Sequence, residues 1–256
     1  MSDRINRNTQ SGNADQQYWN ERFVDNGSWD AAGGQGQTRS FAEFFHERIT
    51  IPYLHFSMLD VGCALGDAMP IWHANYPYAE LSGCDVSEVA IERCTHAYGN
   101  MASFFTAGID NIDGFWDIIY CSNVLEHLDD PVSAARILLG HCSELYVMTP
   151  YREYILESAV EHKYSLSKHS FDALLNTGHT ISIESLTLRC PGPWGPIYST
   201  LLPKTYFRER LIPTLGSLIK RRNLQQAMSY FFYPRQIIFA IKSSSSPPQT
   251  NNKQHR

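Results

Sequence analysis

The sequence predicts an α/β fold: a doubly wound, mostly parallel seven-stranded sheet with N-terminal helices and an insertion before the last strand. Three observations predict it. Short apolar runs alternate with helix-like stretches along most of the chain. Several runs are apolar on consecutive rather than alternate residues, as in strands covered on both faces. The first run ends in a glycine turn that opens a helix, the junction at which such sheets bind ligands.

The elements follow in order. Residues 1–16 are polar and aperiodic and read as a disordered N-terminus. Residues 18–23 (YWNERF) and 40–49 (SFAEFFHERI) are expected helices, joined by a Gly- and Ala-rich loop over 26–37. The first strand is 57–61 (SMLDV), followed by a helix over 67–75. The second strand is 80–85 (ELSGCD), and Ser87 starts the next helix, 87–98, because its hydroxyl oxygen can cap free backbone N–H groups. Strands three and four are 103–107 and 116–122. Pro131 opens a helix over 131–139, at a position where a missing N–H costs nothing. The fifth strand is 144–149, a helix spans 167–176 before Gly178, and strands six and seven are 180–188 and 236–242. Residues 17–242 thus form one domain, and 243–256 read as a second disordered tail.

Bulk properties exclude several classes. A net charge of −5 and a pI near 6.0 argue against a nucleic-acid binder, which usually carries a basic face. Six scattered cysteines form no C-x-x-C pair, so no metal site is expected and reduced thiols in the cytoplasm are. No run reaches the ~20 apolar residues that span a bilayer, and the polar N-terminus has no secretory apolar segment.

The chemistry concentrates in three segments. Leu59-Asp60-Val61-Gly62-Cys63-Ala64-Leu65-Gly66-Asp67 is a strand running into a glycine turn. Gly62 and Gly66 let the backbone turn and approach a ligand without a Cβ clash. Asp85 ends the second strand, where a carboxylate can accept both ribose hydroxyls of a nucleoside, or else cap the following helix. Trp116-Asp117-Ile118-Ile119-Tyr120-Cys121-Ser122-Asn123-Val124-Leu125-Glu126-His127-Leu128 is the third.

In that order the three segments resemble the motifs of class I S-adenosylmethionine-dependent methyltransferases of the small-molecule group. There the first motif reads roughly L-D-x-G-x-G-x-G, an acidic residue ends strand two, and F-D-x-I leads into V-L-E-H-L. The likeness runs from about Tyr18 to Leu186 and implies a Rossmann-like methyltransferase fold with S-adenosyl-L-methionine as cofactor. Ala64 stands where the family has its middle glycine, and is read as tolerated at an ordinary negative φ. A nicotinamide dinucleotide fingerprint, G-x-G-x-x-G, fails at Ala64 and Asp67. Asp67 would set an anion beside a diphosphate, whereas Asp60, Asp67 and Asp85 suit a positive sulfonium.

The resemblance implies roles. Asp60, Gly62, Cys63 and Gly66 would line the methionine side, Asp85 the ribose, and Val86 the adenine. Asp110, or Asp113 in the same loop, would meet the adenine amino group, and Ser122 and Asn123 would face the methyl. His127 is the first candidate general base for an oxygen acceptor, or a structural imidazole bonding a nearby loop. Glu126 reads as a solvated or capping residue, and His162 and His169 as weaker candidates. Tyr18 and Trp19 could close over the cofactor or pack on the sheet.

The expected partner is a small-molecule acceptor, with oxygen favoured because no N-P-P-Y-type tetrapeptide follows strand four. The segment 190–233, with Arg208, Arg210, Lys220, Arg221 and Arg222, is an expected acceptor lid or homodimer surface, with membrane-surface contact a lesser alternative. Two other functions remain: a non-catalytic S-adenosylmethionine-binding protein on the same fold, and an NAD(P)-dependent oxidoreductase.

Overall fold

A computed structural model describes residues 13–150, 162–187 and 236–243. The elements are α1 (Asn13–Phe23), α2 (Ser28–Ala31), α3 (Gly34–Arg48), β1 (Ser57–Val61), α4 (Met69–Asn75), β2 (Glu80–Asp85), α5 (Glu88–Tyr98), β3 (Ser103–Thr106), β4 (Trp116–Ser122), α6 (Pro131–Leu139), β5 (Cys142–Pro150), β6 (His179–Thr187) and β7 (Gln236–Ser243). They build one seven-stranded sheet in the order β3-β2-β1-β4-β5-β7-β6. β1 to β5 run parallel to one another. β7 enters between β5 and β6 and is antiparallel to both. From β1 the chain winds outward in one direction through β2 and β3, then returns to the other side of β1 as β4. The crevice at the carboxyl ends of β1 and β4 is therefore the topological switch point.

Both faces of the sheet are covered, which is why its strands read as continuous apolar runs. On one face Leu59, Ile119, Leu145, Val147, Ile237 and Phe239 pack with Leu138 of α6 and with Phe171 and Leu174. On the other, Met58, Leu81, Ile118, Met148 and Ile238 meet Phe44 and Phe45 of α3 and Met69 and Trp72 of α4. Neighbours such as Met58 and Leu59, or Ile237 and Ile238, fall in opposite cores because strand side chains alternate.

The helix starts carry their expected chemistry. The Ser87 hydroxyl accepts the N–H of Ala90 at 3.1 Å. At α6, Pro131 takes a first-turn position, and Asp130 just before it accepts the N–H groups of Val132 and Ser133 at 3.1 and 3.0 Å.

Three local expectations are corrected. The 26–37 segment is not all loop: α2 and the first turn of α3 lie within it, with Gly33 at φ 74 providing the left-handed corner between them. Glycine content there marks the corner rather than an absence of helix. α1 starts at Asn13, ahead of the expected 18. The 167–176 stretch forms a short 3-10 turn, Asp172–Thr177, rather than an α-helix. The expected lid over 190–233, with its basic residues, and the tail beyond Ser243 lie outside the described residues. Among those described, no helix is long and apolar enough to cross a membrane.

Candidate active site

The glycine turn after β1 is the floor of the site. Gly62 and Cys63 both donate their N–H groups to the carbonyl of Cys84, at 2.8 and 3.0 Å, which ties the turn to the end of β2. Gly62 lies at φ 73, and a Cβ there would stand 2.3 Å from Cγ2 of Val124. Gly66 lies at φ 74, and its Cβ would stand 2.8 Å from Cβ of Cys94 in α5. Each glycine is required twice, by backbone conformation and by a close neighbour. Val124 was not among the expected site residues, although its place just after Asn123 puts it within the same motif.

Ala64 departs from expectation. It lies at φ 51, in the left-handed region, not at a negative φ. A non-glycine residue there costs on the order of 1 kcal/mol. The conformation aims its N–H at Oδ2 of Asp85, 3.0 Å away, and this contact offsets the cost.

Both oxygens of Asp85 accept backbone N–H groups. Its Oδ2 accepts from Ala64, and its Oδ1 accepts the Ser87 N–H at 2.9 Å. One carboxylate thus caps α5 and closes the glycine turn. Each oxygen retains a lone pair for a further donor. Asp85 is only 7% exposed, and burial pushes its pKa from 3.8 up to about 6, against the pull of the backbone N–H groups of Ser87, Ala64 and Val86. Asp60, one strand away, is held well above the usual carboxylate range by burial and then by the charge of Asp85. Two desolvated carboxylates side by side suit a ligand that brings positive charge and hydroxyl donors.

Asp67 does not belong to that pair. It is buried, and Oδ1 accepts from Nη2 and Nε of Arg39 at 2.7 and 3.1 Å and from the Tyr98 hydroxyl at 3.1 Å. Its charge fastens α3 and α5 to the turn rather than facing a sulfonium. Cys63 is also turned inward: it is buried, its N–H is bonded to Cys84, and its thiol interacts with Cys94. Neither residue was distinguishable in sequence from its neighbours in the motif.

Just past β2, Val86 is half-buried, with its Cγ1 3.5 Å from where a Cβ on Gly108 would stand. Gly108 leads into a 3-10 turn, Ile109–Asn111, that carries Asp110 exposed at its centre; Asp113 is exposed in the same loop. Just past β4, Asn123 lies at φ 54, donates its backbone N–H to the carbonyl of Met148 at 2.7 Å and its amide to the Ser122 hydroxyl at 2.9 Å. Asparagine tolerates this left-handed geometry, which turns the chain into the Leu125–His127 turn.

His127 is half-buried, with its ring 5.3 Å from that of Trp19 and 4.8 Å from that of His162. Glu126 is not solvated, as its sequence position suggested, but 1% exposed. Its Oε2 accepts from the Thr149 hydroxyl at 3.1 Å, and its carbonyl accepts the N–H groups of Lys163 and Tyr164 at 2.7 and 3.1 Å. That carbonyl fixes the chain beyond residue 161 against the turn and delivers His162 to His127. His169 is exposed and paired with Asp172 at 2.9 Å within its own turn.

α1 lies across the crevice. Gln16 donates to the carbonyl of Val86 at 3.0 Å, Asn20 accepts from the Ser87 hydroxyl at 2.7 Å, and Trp19 meets His127. Trp19 packs against the cluster of Phe23, Ala64, Leu65 and Ala90, while Tyr18 sits beside it, edge-on at 5.1 Å and exposed.

Comparison with known proteins agrees with this arrangement. Residues 59–144 match the family described as a methyltransferase domain. No curated protein matches the chain in sequence. Among solved structures, the magnesium protoporphyrin IX methyltransferase ChlM from Synechocystis with bound S-adenosylmethionine is 16% identical; the match covers 93% of this chain and 100% of that one, with a TM-score of 0.55. The plantazolicin methyltransferase BamL, in complex with a triazolic desmethylPZN analog and S-adenosylhomocysteine, is 19% identical over 85% and 88% of the two chains, with a TM-score of 0.51. The [4+2]-cyclase SpnF is 15% identical over 80% and 82%, with a TM-score of 0.53. At these identities the likeness establishes a shared fold, and a fold alone does not choose an acceptor. Sheet order, turn chemistry and the family model agree that residues 59–144 are similar to a methyltransferase domain, and the solved structures share the fold over most of the chain.

Proposed function

We propose that the protein transfers a methyl group from S-adenosylmethionine to an oxygen of a small-molecule acceptor. The observation that supports the cofactor's placement most directly is the buried pair Asp60 and Asp85 beside the glycine turn. Asp85 receives the ribose hydroxyls while still holding Ala64 and Ser87. Asp60, Gly62 and Gly66 line the methionine end, Val86 packs on the adenine, and Asp110 accepts from its amino group. When bound, S-adenosylmethionine supplies a methyl already activated by its sulfonium, so the chain contributes orientation and exclusion of water.

Oxygen is favoured by the polar wall that continues from the cofactor crevice. Ser122 and Asn123 offer hydroxyl and amide groups that orient an acceptor, and His127 draws the proton from its hydroxyl. Trp19 covers the imidazole and keeps bulk water from it. Titration calorimetry of the full chain should give micromolar binding of S-adenosylmethionine and S-adenosylhomocysteine and none of NADH. Transfer of labelled methyl should then be found to hydroxyl acceptors in a panel that also holds amines and thiols, and fall ~100-fold or more in His127→Ala. NADH binding alone would overturn the cofactor, and transfer confined to amines would overturn the oxygen assignment. Binding without any transfer would leave a protein that only holds the cofactor.

A further inference from the structure

The turn that carries His127 brings together three groups no sequence pattern connects. A carboxylate oxygen of Glu126, a ring nitrogen of His127 and a ring nitrogen of His162 all lie within 4.8 Å of one another. We propose that these three side chains bind one divalent transition-metal ion at the acceptor wall. The site itself stands on this geometry; its task, given next, rests on the methyl-transfer reading above.

The donor set favours such an ion. Two imidazoles and a carboxylate suit zinc, manganese or iron, and three protein ligands leave positions open. Bonds of ~2.0–2.2 Å hold neighbouring ligand atoms roughly 3–3.5 Å apart. The three ligand atoms, within 4.8 Å of one another, would draw together by an ångström or so on binding an ion. The surroundings resemble those of a built site. Glu126 is 1% exposed, and the Thr149 hydroxyl orients its carboxylate from behind. The Glu126 carbonyl anchors Lys163 and Tyr164, so His162 is held beside a residue 35 positions earlier (162 − 127 = 35). Trp19 borders His127 and makes one wall apolar. This long-range delivery explains why no C-x-x-C or H-x-x-x-H pattern in the sequence signals the trio.

An ion here would face the side of the crevice where Ser122 and Asn123 meet the acceptor. An acceptor oxygen could take an open position on it and lose its proton to water at neutral pH. With the ion bound, His127 would act as a ligand in place of the proton-accepting role it has without one, and the acceptors taken would be those able to offer an anionic oxygen.

The test uses untagged full-length protein freed of metals with a chelator and titrated with Co²⁺, with Mn²⁺ and Zn²⁺ as competitors. The expected result is one Co²⁺ per chain with a visible absorption band from imidazole coordination. His127→Ala and His162→Ala should each weaken Co²⁺ binding about tenfold or more, and the double variant should abolish the band. His162→Gln serves as a milder variant should His162→Ala lose its fold, judged by its melting curve. S-adenosylmethionine binding is measured in the same samples. Failure of Co²⁺, Mn²⁺ and Zn²⁺ to bind at millimolar concentration would overturn the site, as would binding that ignores the histidine variants; the trio would then be a hydrogen-bonded cluster only. Metal binding without cofactor binding would sink the methyl-transfer reading and leave the metal site standing.

Discussion

Asp85 shows how one side chain can serve the fold and the site together. It closes the glycine turn through Ala64 and caps α5 through Ser87, yet burial raises its pKa to about 6. The sign of the pH dependence follows. The folded protein holds this proton more tightly than the unfolded chain, whose value is near 3.8. Asp85 therefore adds stability that is fully present below about 3.8 and is lost as pH rises through about 6. The difference is on the order of 3 kcal/mol. Cofactor affinity runs the opposite way, because a cationic ligand with hydroxyl donors needs the ionised carboxylate. Ligand-free protein should melt higher at pH 5 than at pH 7.5, while S-adenosylmethionine should bind at least tenfold more tightly at pH 7.5. Asp85→Asn should flatten the affinity profile and weaken binding at pH 7.5 by about tenfold or more. An affinity independent of pH between 5 and 7.5 would mean that Asp85 does not touch the cofactor.

The glycine turn is the element on which strands and helices converge, and its tolerances are unequal. Gly62→Ala places a Cβ 2.3 Å from Val124 at a left-handed φ. Strain and overpacking together should cost roughly 2–4 kcal/mol and lower the melting temperature by about 5–15 °C. Asp67 predicts the converse separation of stability from binding. Arg39→Ala removes its guanidinium partner but leaves the Tyr98 hydroxyl, and the Arg39 side chain is 52% exposed, so solvent screens much of the charge. A loss of about 1–2 kcal/mol is expected, with S-adenosylmethionine affinity unchanged within about threefold. A collapse of affinity in a folded Arg39→Ala protein would return Asp67 to the cofactor site. These cases also mark how far sequence reasoning reaches. The succession of strands, the glycine turn and Asp85 are local signals of composition and spacing, legible in the sequence itself. The inward turn of Cys63, the pairing of Asp67 with Arg39 and the burial of Glu126 are set by side chains 23 or more residues away (149 − 126 = 23; 67 − 39 = 28; 94 − 63 = 31). No periodicity carries that information. The sign of φ at Ala64 was hidden for a related reason: it is imposed by the Asp85 carboxylate, not by alanine's own preference.

At the scale of the molecule, the crevice is closed by its own N-terminal helix. Asp60 and Asp85 are 3% and 7% exposed, and α1 packs through Trp19 and Phe23 on Ala64 and Leu65 of the turn beside them. The end of α1 is held firmly: Arg93 of α5 donates to the carbonyls of Phe23 and Val24 and pairs with Asp25 and Asp30. Its middle is held more lightly, by side-chain bonds from Gln16 and Asn20 and by the ring contact of Trp19 with His127. A helix clamped at one end and lightly attached along its length opens at the light end, as lids do. Its two sets of contacts reach the carboxyl ends of β2 and β4, on either side of the β1 turn, so closure covers the turn itself. Removing the indole should shorten the residence of a bound adenosyl ligand more than it disturbs the fold, since α1 remains fastened through Arg93. Trp19→Ala is therefore expected to speed dissociation of S-adenosylhomocysteine by about tenfold in stopped-flow displacement, with the association rate altered far less. Equal dissociation rates in the two proteins would mean that α1 is a fixed wall, and that the cofactor enters from the acceptor side of the crevice.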